Sequence, residues 1–219
     1  MPGAPDLTHE TAAWSAGSLL IGVDEVGRGP LAGPVLAAAV VFPPGTAPIE
    51  GVRDSKTLSA RQRQVLVPLI RARAAGLWVA AASVHEIDRF NIRRATALAI
   101  RRAVSRLLAA GRVAEQVRAS RFTGHRVLLD GLPLPECGLE HDALVDGDAL
   151  CYTVAAAGIV AKEVRDELML RLARRYPDYG WASNAGYGTA EHCIAIDTHG
   201  PTPHHRRSFT PVSQMSLGL

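Results

Sequence analysis

An α/β layer fold is what this sequence predicts, and three observations predict it. Short apolar runs alternate with helical stretches along the chain, the order that builds a sheet flanked by helices. Several runs end at a carboxylate, where a strand leaves an open sheet and where such folds gather their ligands. At 219 residues the chain fits one domain and is long enough to bury a core.

Residues 1–17 mix Pro, Gly, Thr and acids and predict a loose, flexible arm. Residues 18–24 form a short apolar strand and 35–42 a second, which Pro43-Pro44-Gly45 ends by turning the chain. A helix starts after Ser59, its N-cap, and Pro68 stands where it would interrupt or kink it. Gly76 leads into a third strand over 77–84. A helix spans 91–110: Ile92, Ala95, Ala99, Ala103 and Leu107 recur at spacings of three and four, and Gly111 stops it. Arg93, Arg94, Arg101, Arg102 and Arg106 fill its other faces and read as solvated surface rather than a nucleic-acid patch. Residues 127–129 form a strand ending at Asp130-Gly131, and 143–145 another ending at Asp146-Gly147-Asp148. A long helix follows over 149–175, with one apolar face of Leu150, Val154, Ala157, Ala161, Val164, Leu168 and Leu172. The tail is rich in Gly, His, Pro and Arg and is only partly helical.

Bulk properties narrow the function classes only a little. A formal charge of +3 allows phosphate-bearing partners without demanding them. Three widely spaced cysteines, Cys137, Cys151 and Cys193, form no CxxC pair, which argues against a structural zinc or a disulfide framework and suits a reducing cytoplasm. The first 17 residues lack the basic and apolar regions of a signal peptide. The longest nearly uncharged apolar run, 149–161, is too short for a bilayer, which takes about 20 residues.

The chemistry concentrates in acids at strand ends: Asp24-Glu25, Asp130 and Asp148. Carboxylates converging there repel one another unless divalent cations sit between them. Hard oxygen ligands suit Mg²⁺ or Mn²⁺, and the layout suits two-metal phosphodiester cleavage. Each acid also has a structural reading: Asp130-Gly131 fits a turn, and Asp148 fits a helix N-cap. Asp24 beside Glu25 is harder to explain as structure. Successive strand side chains face opposite ways, so both reach one metal only if the strand ends or bulges there.

The stretch Gly22-Val23-Asp24-Glu25-Val26-Gly27-Arg28-Gly29 with Leu31-Ala32-Gly33-Pro34-Val35 resembles the opening signature of ribonuclease HII. The resemblance continues through Asp54-Ser55-Lys56-Thr57-Leu58-Ser59, His85-Glu86-Ile87-Asp88, Leu129-Asp130-Gly131, Gly147-Asp148 and Ala161-Lys162-Glu163-Val164-Arg165-Asp166. It closes with Tyr176-Pro177, Gly186-Tyr187-Gly188-Thr189, Glu191-His192 and His205-Arg206-Arg207-Ser208-Phe209, covering roughly residues 20–212. It implies a ribonuclease H-like fold with a central mixed five-stranded sheet, flanking helices and a helical C-terminal extension. The implied division is a flexible arm over 1–17, a catalytic domain over 18–175 and an extension over 176–219 packing on it. The implied activity is endonucleolytic cleavage of the RNA strand of RNA–DNA hybrids, and incision 5′ of single ribonucleotides embedded in duplex DNA, leaving 3′-hydroxyl and 5′-phosphate ends.

By the same resemblance Asp24, Glu25, Asp130 and Asp148 match the four active-site acids, with Mn²⁺ or Mg²⁺ as cofactor. Gly27, Arg28 and Gly29 match the reader of the 2′-hydroxyl, the group that alone marks a ribonucleotide. Tyr187 matches the tyrosine that packs on the neighbouring sugar. Lys56, Lys162 and Arg165 are candidate phosphate contacts, the last two at i and i+3 on one helix face. His204, His205, Arg206 and Arg207 read as a basic loop supporting the fold or a DNA backbone rather than as zinc ligands.

Two residues depart from the family pattern: Asp146 stands where a lysine usually precedes Gly-Asp, and Gly158 where a serine usually follows three alanines. The extra acid would weaken phosphate attraction or alter metal preference. The implied partners are RNA–DNA hybrid and ribonucleotide-containing duplex DNA, acted on by a cytoplasmic monomer. The ending Ser213-Gln214-Met215-Ser216-Leu217-Gly218-Leu219 only faintly resembles a motif for docking on the DNA sliding clamp. Ribonuclease HIII, the nearest rival, carries an N-terminal substrate-binding domain for which the residues before Gly22 leave no room. A hybrid-binding protein without catalysis would not need all four acids, and a phosphatase or phosphotransferase would not need the Gly-Arg-Gly loop or Tyr187.

Overall fold

A computed structural model describes residues 4–215. Its elements are α1 (Thr8–Ser15), β1 (Ser18–Val26), β2 (Val35–Val41), α2 (Ala60–Arg73), β3 (Gly76–Ala82), α3 (Val84–Ala109) and α4 (Arg112–Ala119). They continue with β4 (Gly124–Asp130), β5 (Asp142–Leu144), α5 (Gly147–Leu150), α6 (Tyr152–Arg175), α7 (Trp181–Asn184), α8 (Ala190–His199) and α9 (Val212–Met215). The strands make one mixed sheet in the order β3-β2-β1-β4-β5. The pairs β1–β2 and β2–β3 are antiparallel, while β1–β4 and β4–β5 are parallel. The predicted ribonuclease H-like layer architecture is therefore present, with β1 at its centre.

Strand alternation divides the core into two layers. Leu19, Ile21 and Val23 of β1 and Val35, Ala37, Ala39 and Val41 of β2 pack with α3 through Ala95, Ala99, Ala103 and Leu107. Ala38 and Val40 face the other way, onto Ala155, Ala156, Ile159 and Val160 of α6 and Leu66 and Ile70 of α2. The small residues of α6 let it lie close to the sheet. A Cβ on Gly22 would stand 2.6 Å from the carbonyl carbon of Thr153.

Several expectations need correction. Residues 8–15 are helical, not part of a loose arm. Buried Glu10 ties α1 down: its Oε1 accepts from the Thr153 amide at 2.7 Å and the Cys151 thiol at 3.2 Å. The third strand stops at Ala82 because Ser83 caps α3 in a capping box with Glu86. That helix begins seven residues before the predicted start and is kinked at Asn91, where φ is 71°. Pro68 lies inside an uninterrupted α2, which Ser59 caps as the sequence predicts and Gln62 completes as a capping box. The long helix predicted from 149 is two, α5 and α6, parted at Cys151, whose φ of −113° and ψ of 122° are extended.

The C-terminal segment packs on the end of α6. Tyr179, Trp181, Ala195 and Ile196 form an apolar cluster with Met169 of α6 and with Leu31 and Ala32 of the loop after β1. No described helix is long and apolar enough to cross a membrane, and all three cysteines are free. Of the C-terminal ending singled out in the sequence, residues 216–219 lie outside the described residues.

Candidate active site

The register of the parallel pair β1–β4 decides which acids meet. Val23 sits opposite Leu129, so the next residues, Asp24 and Asp130, stand level at the strand ends. Val23 and Leu129 belong to the α3 layer, which turns Asp24 and Asp130 to the α6 side. Asp130 then sets the third acid: its Oδ1 accepts from the amides of Gly147 at 2.8 Å and Asp148 at 3.4 Å. Asp148 does not cap a helix; it lies in the first turn of α5, whose N-cap position is Asp146. Its carboxylate is thereby free to join the others. One carboxylate oxygen from each of Asp24, Asp130 and Asp148 lies within 4.8 Å of the other two, the one such group among the described residues.

Glu25 stands apart from this triad. Alternation along β1, which continues to Val26, turns it to the α3 side. There it pairs with Arg28 at 3.3 Å and lines a cleft with Asp130, Arg93, Thr96 and Ile100. Asp130 is the link, bordering both the triad and this cleft.

Burial and neighbouring negative charge raise the affinity of Asp24, Asp148 and Glu25 for protons. The Asp24 carboxyl is pushed well above the usual range by burial first, then by Glu25, Asp130 and Asp148. Asp148 is raised by burial and by Asp130, against the pull of Lys56, whose Nζ lies 3.4 Å from its Oδ2. Glu25 is raised by burial, against the pull of Arg28. Two buried carboxylates and a half-buried third, with one exposed lysine beside them, are short of positive charge. A hard oxygen donor set so placed fits a divalent cation of the Mg²⁺ or Mn²⁺ kind.

Beside the triad the chain forms a tight loop. Gly27 and Gly33 have φ of 89° and 84°, backbone that favours glycine. A Cβ on Gly27 would collide with the Arg165 side chain. Arg28 and Gly29 are exposed. The Tyr187 ring, 49% exposed, comes within ordinary contact distance of Gly29, 3.6 Å from where its Cβ would be. The structure thus brings Gly29 and Tyr187 together from positions 158 residues apart.

The predicted phosphate contacts fare differently. Lys56 reaches the acids, as described. Lys162 engages Asp166 four residues on, which also takes Arg63 Nη2 at 2.7 Å. Arg165 is corrected from a surface contact to a fully buried residue. From Ala161 onward the buried positions of α6 are 161, 165 and 169 rather than the stripe through Val164 and Leu168, because the C-terminal segment covers that side. Arg165 donates to the carbonyls of Ala32, Pro34 and Ala185.

Arg206, read from sequence only as part of a basic loop, is equally buried and donates to the carbonyls of Gly27, Arg28 and Gly33. Burial, with Arg165 nearby, lowers its pKa to about 9. No local signal separates it from Arg207 beside it, which is exposed. Of the two departures, Asp146 is exposed at a left-handed position (φ 56°), which aspartate tolerates. Gly158 lies directly behind the triad, where a Cβ would fall on the Asp24 carboxylate.

A mixed sheet of this topology, with acids converging at the ends of β1, β4 and the turn into α5, defines a ribonuclease H-like architecture with a site for divalent cations at its strand ends. Comparison with known proteins agrees. The family described as ribonuclease HII matches residues 21–212. Proteins named ribonuclease HII from Cereibacter sphaeroides and Paracidovorax citrulli are 51% and 50% identical, each over 95% of this chain and over 92% and 81% of their own. Among solved structures, ribonuclease H2 from Pyrococcus horikoshii aligns with a TM-score of 0.71 at 24% identity, over 91% of this chain and 98% of its own. Bst-RNase HIII, solved in complex with Mn²⁺, aligns with a TM-score of 0.69 at 19% identity, over 94% and 72%. The chain belongs to the ribonuclease HII family.

Proposed function

We propose that this chain cleaves the RNA strand of RNA–DNA hybrids and nicks duplex DNA on the 5′ side of a single embedded ribonucleotide, leaving 3′-hydroxyl and 5′-phosphate ends. One observation carries the reading: three convergent carboxylates stand beside a glycine loop and a half-exposed tyrosine ring. Asp24, Asp130 and Asp148 would hold the divalent cations, Mn²⁺ or Mg²⁺, with Glu25 supplying a further ligand from the cleft side of Asp130. Bound there, a pair of such ions supplies Lewis acids for the attacking and leaving oxygens of a phosphodiester.

The chain's own residues bind and orient. Tyr187 offers a flat apolar face to a sugar or base, of the kind worth about 1–3 kcal/mol in nucleic-acid binding. Gly27, Arg28 and Gly29 present backbone to the ribose, whose 2′-hydroxyl both donates and accepts. Lys56 places a charge at the edge of the acids where a phosphate would arrive, and Lys162, shared with Asp166, is a weaker candidate for the same role. The closeness of reader and acids would couple recognition to cutting, which supports a role in removing misincorporated ribonucleotides from DNA; we place this activity in the cytoplasm and in a monomer. The Archaeoglobus fulgidus ribonuclease HII solved in complex with PCNA supports clamp docking, for which the tail from Ser213 is the candidate segment here.

The test is a uniform RNA–DNA hybrid incubated with Mn²⁺ or Mg²⁺, beside double-stranded RNA and the same hybrid in EDTA. Cutting of the RNA strand in the hybrid alone, lost in EDTA, is expected. Cutting that persists in EDTA, or no cutting with either ion, refutes the reading.

A further inference from the structure

The loop between β1 and β2 turns its carbonyls inward. Arg206 donates from Nη1 to Arg28 O at 2.8 Å, from Nη2 to Gly27 O and to Gly33 O at 2.8 Å, and from Nε to Gly33 O at 2.9 Å. Arg165 donates to Ala32 O at 3.1 Å, to Pro34 O at 3.3 Å and to Ala185 O at 3.0 Å, the last only two residues before Tyr187. Both guanidiniums are fully buried, and neither forms an ion pair with a carboxylate among the described residues. A buried charge is costly unless its donors are used. What a guanidinium supplies in return is a rigid plane of donors that can span several peptide groups, which a lysine ammonium cannot.

The direction of those carbonyls has a consequence. In a trans peptide the C=O and the following N–H point opposite ways. With Gly27 O and Arg28 O drawn inward to Arg206, the amides of Arg28 and Gly29 are aimed outward, where both residues are exposed. Neither amide has a protein acceptor among the described residues, whereas Leu31 and Ala32 donate to Gly186 O and Gly33 to His204 O. Pro30 has no N–H. These two adjacent donors lie at the exposed tip of the loop, where Gly29 meets the Tyr187 ring.

We infer that Arg165 and Arg206 are positioning residues for nucleotide recognition: they set the outward direction of the Arg28 and Gly29 amides and lock that loop to the Tyr187 segment, so that two N–H groups meet a ribose oxygen of the nucleotide lying on the ring. This rests on the reading of Gly27-Arg28-Gly29 and Tyr187 as the ribonucleotide reader. The arginines act through backbone they hold and touch no substrate. Arg206→Lys keeps the charge but cannot span three carbonyls, so it isolates amide direction from electrostatics.

Binding is measured by fluorescence anisotropy in EDTA, so that nothing is cut, on a duplex with one ribonucleotide and on its all-DNA counterpart. The wild-type chain is expected to favour the ribonucleotide duplex by about tenfold, or about 1.4 kcal/mol. Arg206→Lys, folded by circular dichroism, is expected to bring the two within about threefold, chiefly by weakening the ribonucleotide duplex. A wild-type ratio near one refutes the reader and this role with it. A wild-type preference that Arg206→Lys leaves intact overturns the positioning role alone. Should Arg206→Lys not fold, amide chemical shifts of the wild-type chain decide: Arg28 and Gly29 must shift with the ribonucleotide duplex and not with all-DNA, and unmoved amides overturn the role.

Discussion

Gly22→Ala tests how closely the sheet and α6 must approach for the acids to be placed. Gly22 sits in the central strand, paired with Val40 on one side and Leu128 on the other, so it has no freedom to move sideways. An added Cβ would lie 2.6 Å from Thr153 C, 2.7 Å from Val154 N and 2.9 Å from Thr153 Cγ2. Two of these three are backbone atoms, which cannot swing aside. Restoring ordinary contact near 3.4 Å needs α6 to retreat by about 0.8 Å. Overpacking of this kind costs about 1–3 kcal/mol, against roughly 0.5–1 kcal/mol gained by removing a strand glycine. The net loss of about 1–2 kcal/mol lowers Tm by about 2–8 °C in a chain of this length. The retreat also moves the wall behind Asp24, since Gly158 of α6 abuts that carboxylate. Misplacement approaching 1 Å can cost about 100-fold in rate, so kcat/KM should fall by about 10- to 100-fold. Thermal unfolding and steady-state cleavage of a hybrid measure both. A Tm within about 1 °C of wild type, with undiminished kcat/KM, would refute the claim that this contact positions the site.

Asp130→Asn keeps an oxygen to accept from the Gly147 amide but removes the central charge; turnover should fall at least about 1000-fold with Tm unchanged or higher, and near-normal kcat would remove Asp130 from the site. Burial, with His192 beside it, lowers the His205 pKa from 6.5 to about 4. Above pH 6.5 neither folded nor unfolded chain binds this proton, while between 6.5 and 4 only the unfolded chain does, so stability falls with pH by up to about 3 kcal/mol. His205→Asn should show a shallower loss of Tm between pH 6.5 and 5 than the wild-type chain; parallel slopes would contradict the assignment. Arg63→Met leaves Glu163 and Asp166 without a guanidinium that is itself 7% exposed, and should cost about 2–3 kcal/mol in urea unfolding. A loss below about 0.5 kcal/mol would show that pair to be dispensable.

What the sequence disclosed and what it withheld follow from how local each signal is. Asp24 and Asp130 were legible because each closes a run whose apolar pattern is local, and parallel pairing brings those ends together, while Asp148 follows a turn signal just after the last strand and is drawn in by Asp130. The parting of Asp24 from Glu25 was not, because it depends on β1 keeping its alternation through Val26. Arg165 looked like a surface residue because its burial is created by distant backbone, Ala32 and Pro34 of the loop after β1 and Ala185 in a tail with weak periodicity. The helix over 8–15 has almost no amphipathic pattern; its anchor is Glu10 reaching Cys151 and Thr153, more than 140 residues on. Ser83 and Glu86 did carry a local capping signal, obscured by the apolar run before them that extended the strand by two residues. Distant contacts, not propensities, account for most of the differences.

Recognition next to cutting is tested most directly by the position of the nick. A 5′-labelled duplex containing one ribonucleotide is incubated with the chain and Mn²⁺, beside the same duplex with deoxyribose at that site. The expected result is one nick on the 5′ side of the ribonucleotide, with a 3′-hydroxyl end, and an intact all-DNA duplex. No nick with Mn²⁺ or Mg²⁺, or equal cutting of both duplexes, would contradict it.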